Sequence, residues 1–285
     1  MSILSSVEVV SSELSLSNKK LIELPYRISF SPSLFLHDDN LLLCGGQRNL
    51  NQCFVYTNNS WKEYISLSER RRWASAVTTA NGTFIFGGDE RPLTFEFLPK
   101  NSKVWKDGRT KIPDGFYKGC AIEVPNKLEI LLIGGYETEK RILKFDMTNQ
   151  TFEEMNVSLI KERLGHTCAR LPDTNLIVIA GGRDSDYNDN DPIEILNLDD
   201  NTITLGNSMN TKRRFHGMAV ITIEDENRLA VFGGAQTGHD GIDILDSVET
   251  LNPRTRNWEV SELKLTEAKG MFGYTSVHND FISKL

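Results

Sequence analysis

A cation recurs at a fixed offset along this chain. Arg163-Leu-Gly-His166 and Arg213-Arg-Phe-His216 share a four-residue pattern in full. Arg71-Arg-Trp-Ala74 and Arg27-Ile-Ser-Phe30 share its arginine, and Lys269-Gly-Met-Phe272 substitutes lysine. Tyr117-Lys118-Gly-Cys120 breaks the series. Arginine presents a planar fork of donors that matches a carboxylate or phosphate. A set of such groups, if gathered by the fold, would bind an anionic ligand. The same fork can instead hold loop carbonyls of the protein itself, and the sequence leaves both roles open.

Other candidate chemistry is thinner. Asp184, Asp186, Asn188 and Asn190 alternate like the start of a calcium loop, but Asp189 stands where a glycine is needed and Ile195 where the final glutamate would be. The segment therefore reads as a solvated loop with Tyr187 at its tip as a contact residue. His166 and His216 occupy equivalent places, which indicates a repeated structural role more than a metal pair. The four cysteines are too few and scattered for a disulfide framework. Cys44 and Cys53 read as buried fillers, and Cys120 and Cys168 as neighbours near a central axis. No Ser-His-Asp order, phosphate loop or Cys-x-x-Cys motif occurs. The expectation is no catalytic residue, no metal and no cofactor.

Composition sets further bounds. The 285 residues are 39% hydrophobic and 25% charged, with net charge −7. An acidic balance disfavours nucleic acid and anionic membrane as partners. No run approaches the roughly 18 apolar residues of a membrane helix. Met1-Ser-Ile-Leu-Ser-Ser-Val-Glu lacks a basic region and a long apolar stretch, so no signal peptide is expected. That reading places the protein in the cytoplasm and makes the sequons at Asn58, Asn81, Asn149 and Asn156 chance matches.

The elements that must position these residues announce themselves as a repeat. Five Gly-Gly pairs (Gly45-Gly46, Gly87-Gly88, Gly134-Gly135, Gly181-Gly182 and Gly233-Gly234) each close a short apolar run, spaced 42, 47, 47 and 52 residues apart. Such a period signals one supersecondary unit repeated. Between Arg213 and Leu263 the unit reads strand, polar turn, strand, Gly-Gly, long loop, strand, turn, strand. An aromatic of the fourth strand recurs as Trp61, Trp105, Phe152 and Trp258. Four-stranded sheets that cannot bury both faces alone stack around an axis as a propeller.

An apolar strand ending in Gly-Gly, a turn, then a tryptophan resembles the kelch repeat, over almost the whole chain. The resemblance implies an all-β, six-bladed kelch-type β-propeller with four antiparallel strands per blade, one domain over 1–285. Gly270-Met-Phe-Gly-Tyr-Thr-Ser-Val and Asp280-Phe-Ile-Ser-Lys-Leu read as two inner strands. Ser6-Val-Glu-Val-Val and Glu13-Leu-Ser-Leu read as two outer ones, so blade six is expected to be split between about 1–20 and about 265–285.

Kelch domains bind other proteins through the Gly-Gly loop face, as ubiquitin-ligase substrate receptors or cytoskeletal scaffolds. No BTB module accompanies the repeats here. The resemblance implies a monomeric, non-catalytic protein–protein interaction domain that takes an acidic peptide or loop, with Arg27, Arg71, Tyr117, Arg163, Arg213, Lys269 and Tyr187 as partner-binding residues. The alternative is a kelch-type sugar-processing enzyme, such as an acidic-sugar mutarotase, using Arg71, Arg163, Arg213 and a nearby acid.

Overall fold

The computed structural model describes residues 4–9, 19–28, 33–46, 51–58 and 60–270. Among them every regular element is a strand. β1 (Leu4–Val9) pairs antiparallel with β2 (Lys19–Ile28). Five four-stranded antiparallel blades follow. Blade one is β3 (Ser33–His37), β4 (Asn40–Cys44), β5 (Cys53–Thr57) and β6 (Ser60–Tyr64). Blade two is β7 (Ser75–Thr79), β8 (Gly82–Phe86), β9 (Phe95–Pro99) and β10 (Lys106–Asp107). Blade three is β11 (Cys120–Glu123), β12 (Glu129–Ile133), β13 (Ile142–Asp146) and β14 (Thr151–Glu154). Blade four is β15 (Thr167–Arg170), β16 (Leu176–Ala180), β17 (Glu194–Asn197) and β18 (Thr202–Leu205). In blade five, β19 (Gly217–Ile223) and β20 (Glu226–Phe232) are followed by a small extra hairpin, β21 (Ala235–Gly238) with β22 (Gly241–Ile244), before β23 (Ser247–Leu251) and β24 (Trp258–Lys264).

Each first strand touches the first strand of the next blade, from β3 to β7, β11, β15 and β19 in turn. This is the arrangement of a β-propeller, with first strands around the axis and fourth strands outermost. The second strands carry near-continuous apolar runs because both their faces are covered. Phe84, Ile85 and Phe86 are at most 1% exposed, as are Ile177, Val178, Ile179 and Ala180.

The core is divided by blade interface. Phe35, Leu42, Leu67, Ile85 and Leu98 join blades one and two. Phe84, Phe86, Phe95, Leu132, Leu143 and Phe145 join two and three. Ile133, Leu159, Ile177 and Leu196 join three and four, and Val178, Met218, Val231 and Trp258 join four and five. The second interface is aromatic-rich, with Phe145 meeting Phe95 edge-on at 5.0 Å between ring centroids. Each large side chain so buried contributes roughly 1.5–3 kcal/mol, which is why a blade is stable only against its neighbours.

The blade count among the described residues is five, not six. β1 covers the N-terminal strand expected from Ser6 onward. Its partner is β2, however, and the strand expected at Glu13-Leu-Ser-Leu lies outside the described residues. So do both C-terminal strands expected within 270–285, Gly270 apart. No helix long and apolar enough to cross a membrane occurs among the described residues.

Candidate functional site

In an up-and-down blade the loop after the second strand and the segment leading into the first strand share one face. On that face the Gly-Gly pairs set the contacts between blades. The second glycine of each pair donates its N–H to the carbonyl of the residue that leads into the next blade: Gly46 to Arg71, Gly88 to Phe116, Gly135 to Arg163, Gly182 to Arg213 and Gly234 to Lys269, at 2.6–3.1 Å. Gly181 shows why the first glycine is required. Its φ is +65°, and a Cβ there would lie 2.1 Å from the Arg213 carbonyl oxygen and 2.6 Å from His216 Cε1.

The arginines predicted as a ligand-facing ring are interior groups. Arg71, Arg163 and Arg213 are at most 1% exposed. Arg163 Nε donates to Glu194 at 2.8 Å, and its terminal nitrogens donate to the Gly181 and Pro192 carbonyls at 2.8 and 2.6 Å. Arg71 repeats this with Glu96, Gly87 and Thr94, and Arg213 with Glu249, Gly233 and Ser247. The carboxylates are equally enclosed, and each also accepts two backbone N–H groups from the incoming linker: Ser68 and Glu69, Ile160 and Lys161, or Asn210 and Thr211. A buried charge needs such a partner. The three arginines fasten each linker to its own blade and present nothing to solvent.

The remaining predicted residues divide. Lys269 is buried, and its backbone joins Gly234 and Leu245. Arg27 falls within β2, six residues ahead of Ser33, whereas Arg71, Arg163 and Arg213 stand four residues ahead of their first strands. In blade three the register shifts by one. Phe116, not Tyr117, occupies the arginine position, as the Gly88 bond shows. Tyr117 and Tyr187 do lie on the Gly-Gly face. The Tyr117 ring stacks on Tyr136 at 4.8 Å. Its hydroxyl is pushed up to about 12 by partial burial and by Tyr136, Glu137 and Asp89. Tyr187 is 70% exposed, with the Arg183 guanidinium 3.8 Å from its ring centroid.

At the centre of this face is a feature that sequence reading missed. Two residues after each arginine position stand Trp73, Lys118, Gly165 and Phe215, all with φ between +52° and +68°. Their backbones form a chain of hydrogen bonds around the axis. The Lys118 N–H donates to Trp73 at 3.0 Å, Gly165 to Lys118 at 2.7 Å and Phe215 to Gly165 at 2.7 Å. Left-handed backbone turns these side chains inward, and Trp73 meets Phe215 at 4.8 Å between centroids. Gly165 makes room, since a Cβ there would overlap the Phe215 ring. Lys118 Nζ lies 5.0 Å from the Trp73 ring centroid and 5.5 Å from that of Tyr117. Its ammonium makes no ion pair among the described residues. Burial, Arg183 and Arg72 hold its pKa below the usual lysine value, with Asp89 opposing.

The acidic loops are largely consumed. Asp89 takes Arg72 at 2.5 Å, and Asp189 takes Arg214 and the Thr237 N–H. Asp184 caps its own loop through Asn188, and Asn190 donates to the Glu162 carbonyl. No group of three acidic, His or Cys side chains stands ready to hold a metal among the described residues. His166 and His216 are packed under the Gly-Gly turns. Burial, aided by Arg163, lowers His166 to about 3, and burial with Arg213 and His166 likewise keeps His216 neutral. The His216 ring shares a hydrogen bond with Thr167 Oγ1 at 2.7 Å.

The missed residues carried signals. Glu96, Glu194 and Glu249 are charges inside apolar third strands, recurring opposite Ile85, Ile179 and Val231. In blade three Leu143 takes that place, opposite Leu132, and Phe116 replaces its arginine. The two substitutions accompany each other.

Fold and site together define a β-propeller whose axis is covered, on the Gly-Gly face, by an aromatic and cationic cap. Among solved structures the chain resembles YjhT, with a TM-score of 0.71 and 12% identity, over 88% of each chain. At that identity the likeness is one of fold. No protein-family model matches the chain, and no curated protein matches it in sequence.

Proposed function

We propose that this chain is a non-catalytic interaction domain of the kelch type, which takes an acidic peptide or loop of a partner protein on the Gly-Gly face. The observation that carries this is Lys118. Its ammonium is held over two rings at the propeller axis, close to Arg183 and Arg72, without a carboxylate of its own. Bringing an acidic side chain to it would add a charge-assisted hydrogen bond in a partly dry setting. Tyr117 beside it, Tyr136 stacked on Tyr117 and Tyr187 against Arg183 add the rigid amphipathic surface that interaction sites favour.

The acidic-sugar reading relied on Arg71, Arg163 and Arg213. With those enclosed, it would have to use Lys118 and Arg183 instead, so one experiment addresses both. Acidic peptides selected from a displayed library against the intact chain should lose at least tenfold in affinity with Lys118→Ala or Arg183→Ala. His239→Ala, on the extra hairpin, should leave them unchanged. Undiminished binding by Lys118→Glu would remove the site. Turnover or saturable binding of a sialic or hexuronic acid at Lys118, with no peptide selected, would favour the sugar reading.

We also infer that the ring has a sixth position, filled by β1 and β2 together with the C-terminal residues. Gly234 hands on to Lys269 as the other four pairs hand on to a following blade, and β2 runs beside β6 of blade one. Deleting residues 1–28 should then lower the unfolding temperature sharply. An unchanged melt would return the count to five.

A further inference from the structure

All four cysteines are paired. Cys44 and Cys53 face each other in register across β4 and β5, with Cα atoms 4.1 Å apart, and their disulfide closes the first Gly-Gly loop. Cys120 and Cys168 lie on the first strands of blades three and four, 5.9 Å apart, and theirs joins the two blades beside the axis. None is left as a thiol, and all are at most 8% exposed. This corrects the reading of Cys44 and Cys53 as separate buried fillers, and bonds the expected neighbours Cys120 and Cys168. Buried disulfides of this kind persist where the surroundings are oxidising.

A second, independent pattern points the same way. The asparagines of the four sequons are all exposed. Asn58 is in the β5–β6 turn, Asn81 in the β7–β8 turn and Asn149 in the β13–β14 turn. These turns lie on the face opposite the Gly-Gly loops. Asp38 in the β3–β4 turn, for example, accepts the N–H of Asn101 in the β9–β10 turn. Asn156 lies apart from these turns, just past β14 at the outer rim, where Met155 donates to the Ile142 carbonyl near the Gly-Gly end of blade three. No sequon falls in a Gly-Gly loop.

Against the cytoplasmic location and chance sequons expected from the sequence, we infer that this propeller matures in an oxidising, secretory-type compartment, stapled by Cys44–Cys53 and Cys120–Cys168 and bearing N-linked glycans at Asn58, Asn81, Asn149 and Asn156. The glycans at Asn58, Asn81 and Asn149 coat the face opposite the Gly-Gly loops, and the one at Asn156 sits at the outer rim of blade three. Each disulfide forms as two thiols release two protons and pass two electrons to a disulfide-bearing oxidant, which becomes a dithiol. Each glycan forms as an asparagine Nδ2 bonds to the anomeric carbon of a diphosphate-linked oligosaccharide. The diphosphate leaves with its electron pair, and the amide gives up one proton.

Peptide mapping of the full chain from the cells that make it tests this, with thiols alkylated before any reductant and glycans then removed enzymatically in isotopically heavy water. Expected are the two linked cysteine peptides, no alkylated cysteine, and heavy aspartate at the four positions. Four alkylated cysteines would overturn the compartment, and linked cysteines with unmodified asparagines would overturn the glycans. A secreted recombinant chain should also shift on a gel after deglycosylation, and N58Q, N81Q, N149Q and N156Q together should abolish that shift. A shift that survives them would reject the assignment.

Discussion

Blades three and four close on their predecessors with the same backbone bond and opposite chemistry beneath it. Gly135 donates to Arg163 at 3.0 Å, and Gly88 donates to Phe116 at 2.9 Å. Under the first bond lies an ion pair, Arg163 with Glu194, laced to carbonyls and linker N–H groups. Under the second lie Phe116 and Leu143 in a cluster with Phe95 and Phe145. The main chain therefore sets the joint, and the side chains only have to fill the space as a matched pair. An ion pair and an apolar pair are both solutions; half of each is not.

Breaking one half of the ionic joint should have the largest effect. Glu194→Leu leaves the Arg163 guanidinium buried without its carboxylate and two backbone N–H groups without an acceptor. A cost of about 3–5 kcal/mol is expected, read from denaturant midpoints. The same change at Glu96 or Glu249 should cost a similar amount. A loss below about 1 kcal/mol would mean that water reaches the joint and that the contrast with blade three is weaker than drawn.

Acid should separate the two joints next. Blade four carries His166 and blade five His216 where blade three has Gly119. The unfolded chain takes up a proton near pH 6.5, while folded His166 resists until about pH 3 and His216 is shifted the same way. Below 6.5 the unfolded state binds more protons, so stability falls as pH drops through that window. The slope is about 1 kcal/mol per pH unit for each histidine. Urea titrations from pH 7 to pH 4.5 should show it, and His166→Gly, which copies blade three, should flatten it. An unchanged slope would assign the effect to other groups, His37 among them.

These contrasts mark what the sequence made legible. The Gly-Gly period, the strand order and the fourth-strand aromatics were readable because each follows from local backbone demands repeated five times. The role of Arg71, Arg163 and Arg213 was not, because their partners lie 25, 31 and 36 residues away in the third strand. Only the parallel loss of arginine and glutamate in blade three encodes the pairing. The cap was hidden for another reason. Trp73, Lys118, Gly165 and Phe215 share a backbone conformation rather than a residue type, so no motif connects them. The disulfides also needed the register, since only the ladder puts Cys44 opposite Cys53.

A smaller effect should come from exchanging one joint for the other. Arg163→Phe with Glu194→Leu writes the blade-three pair into blade four. Each single change should be severe, yet the double variant should recover most of the loss and lie within about 2 kcal/mol of the parent, a strong coupling in a double-mutant cycle. Additive losses would show that the linker N–H groups of Ile160 and Lys161, not the arginine, are what Glu194 chiefly serves.

The smallest change in stability is expected at Lys118. In blade four the corresponding residue is Gly165, and the backbone chain passes through both. Lys118→Ala keeps the Trp73 and Gly165 hydrogen bonds, because these use only its main chain. It removes the cation over the rings, so a loss of about 0.5–1 kcal/mol is expected, together with added strain in a left-handed residue no greater than lysine already bears. Gly165→Lys would be far costlier, since a Cβ there strikes the Phe215 ring. Thermal melts of the two variants side by side would show whether this position is a cap element in blade three and a clearance in blade four. If both melt alike, the axis is more open than the Trp73–Phe215 contact indicates.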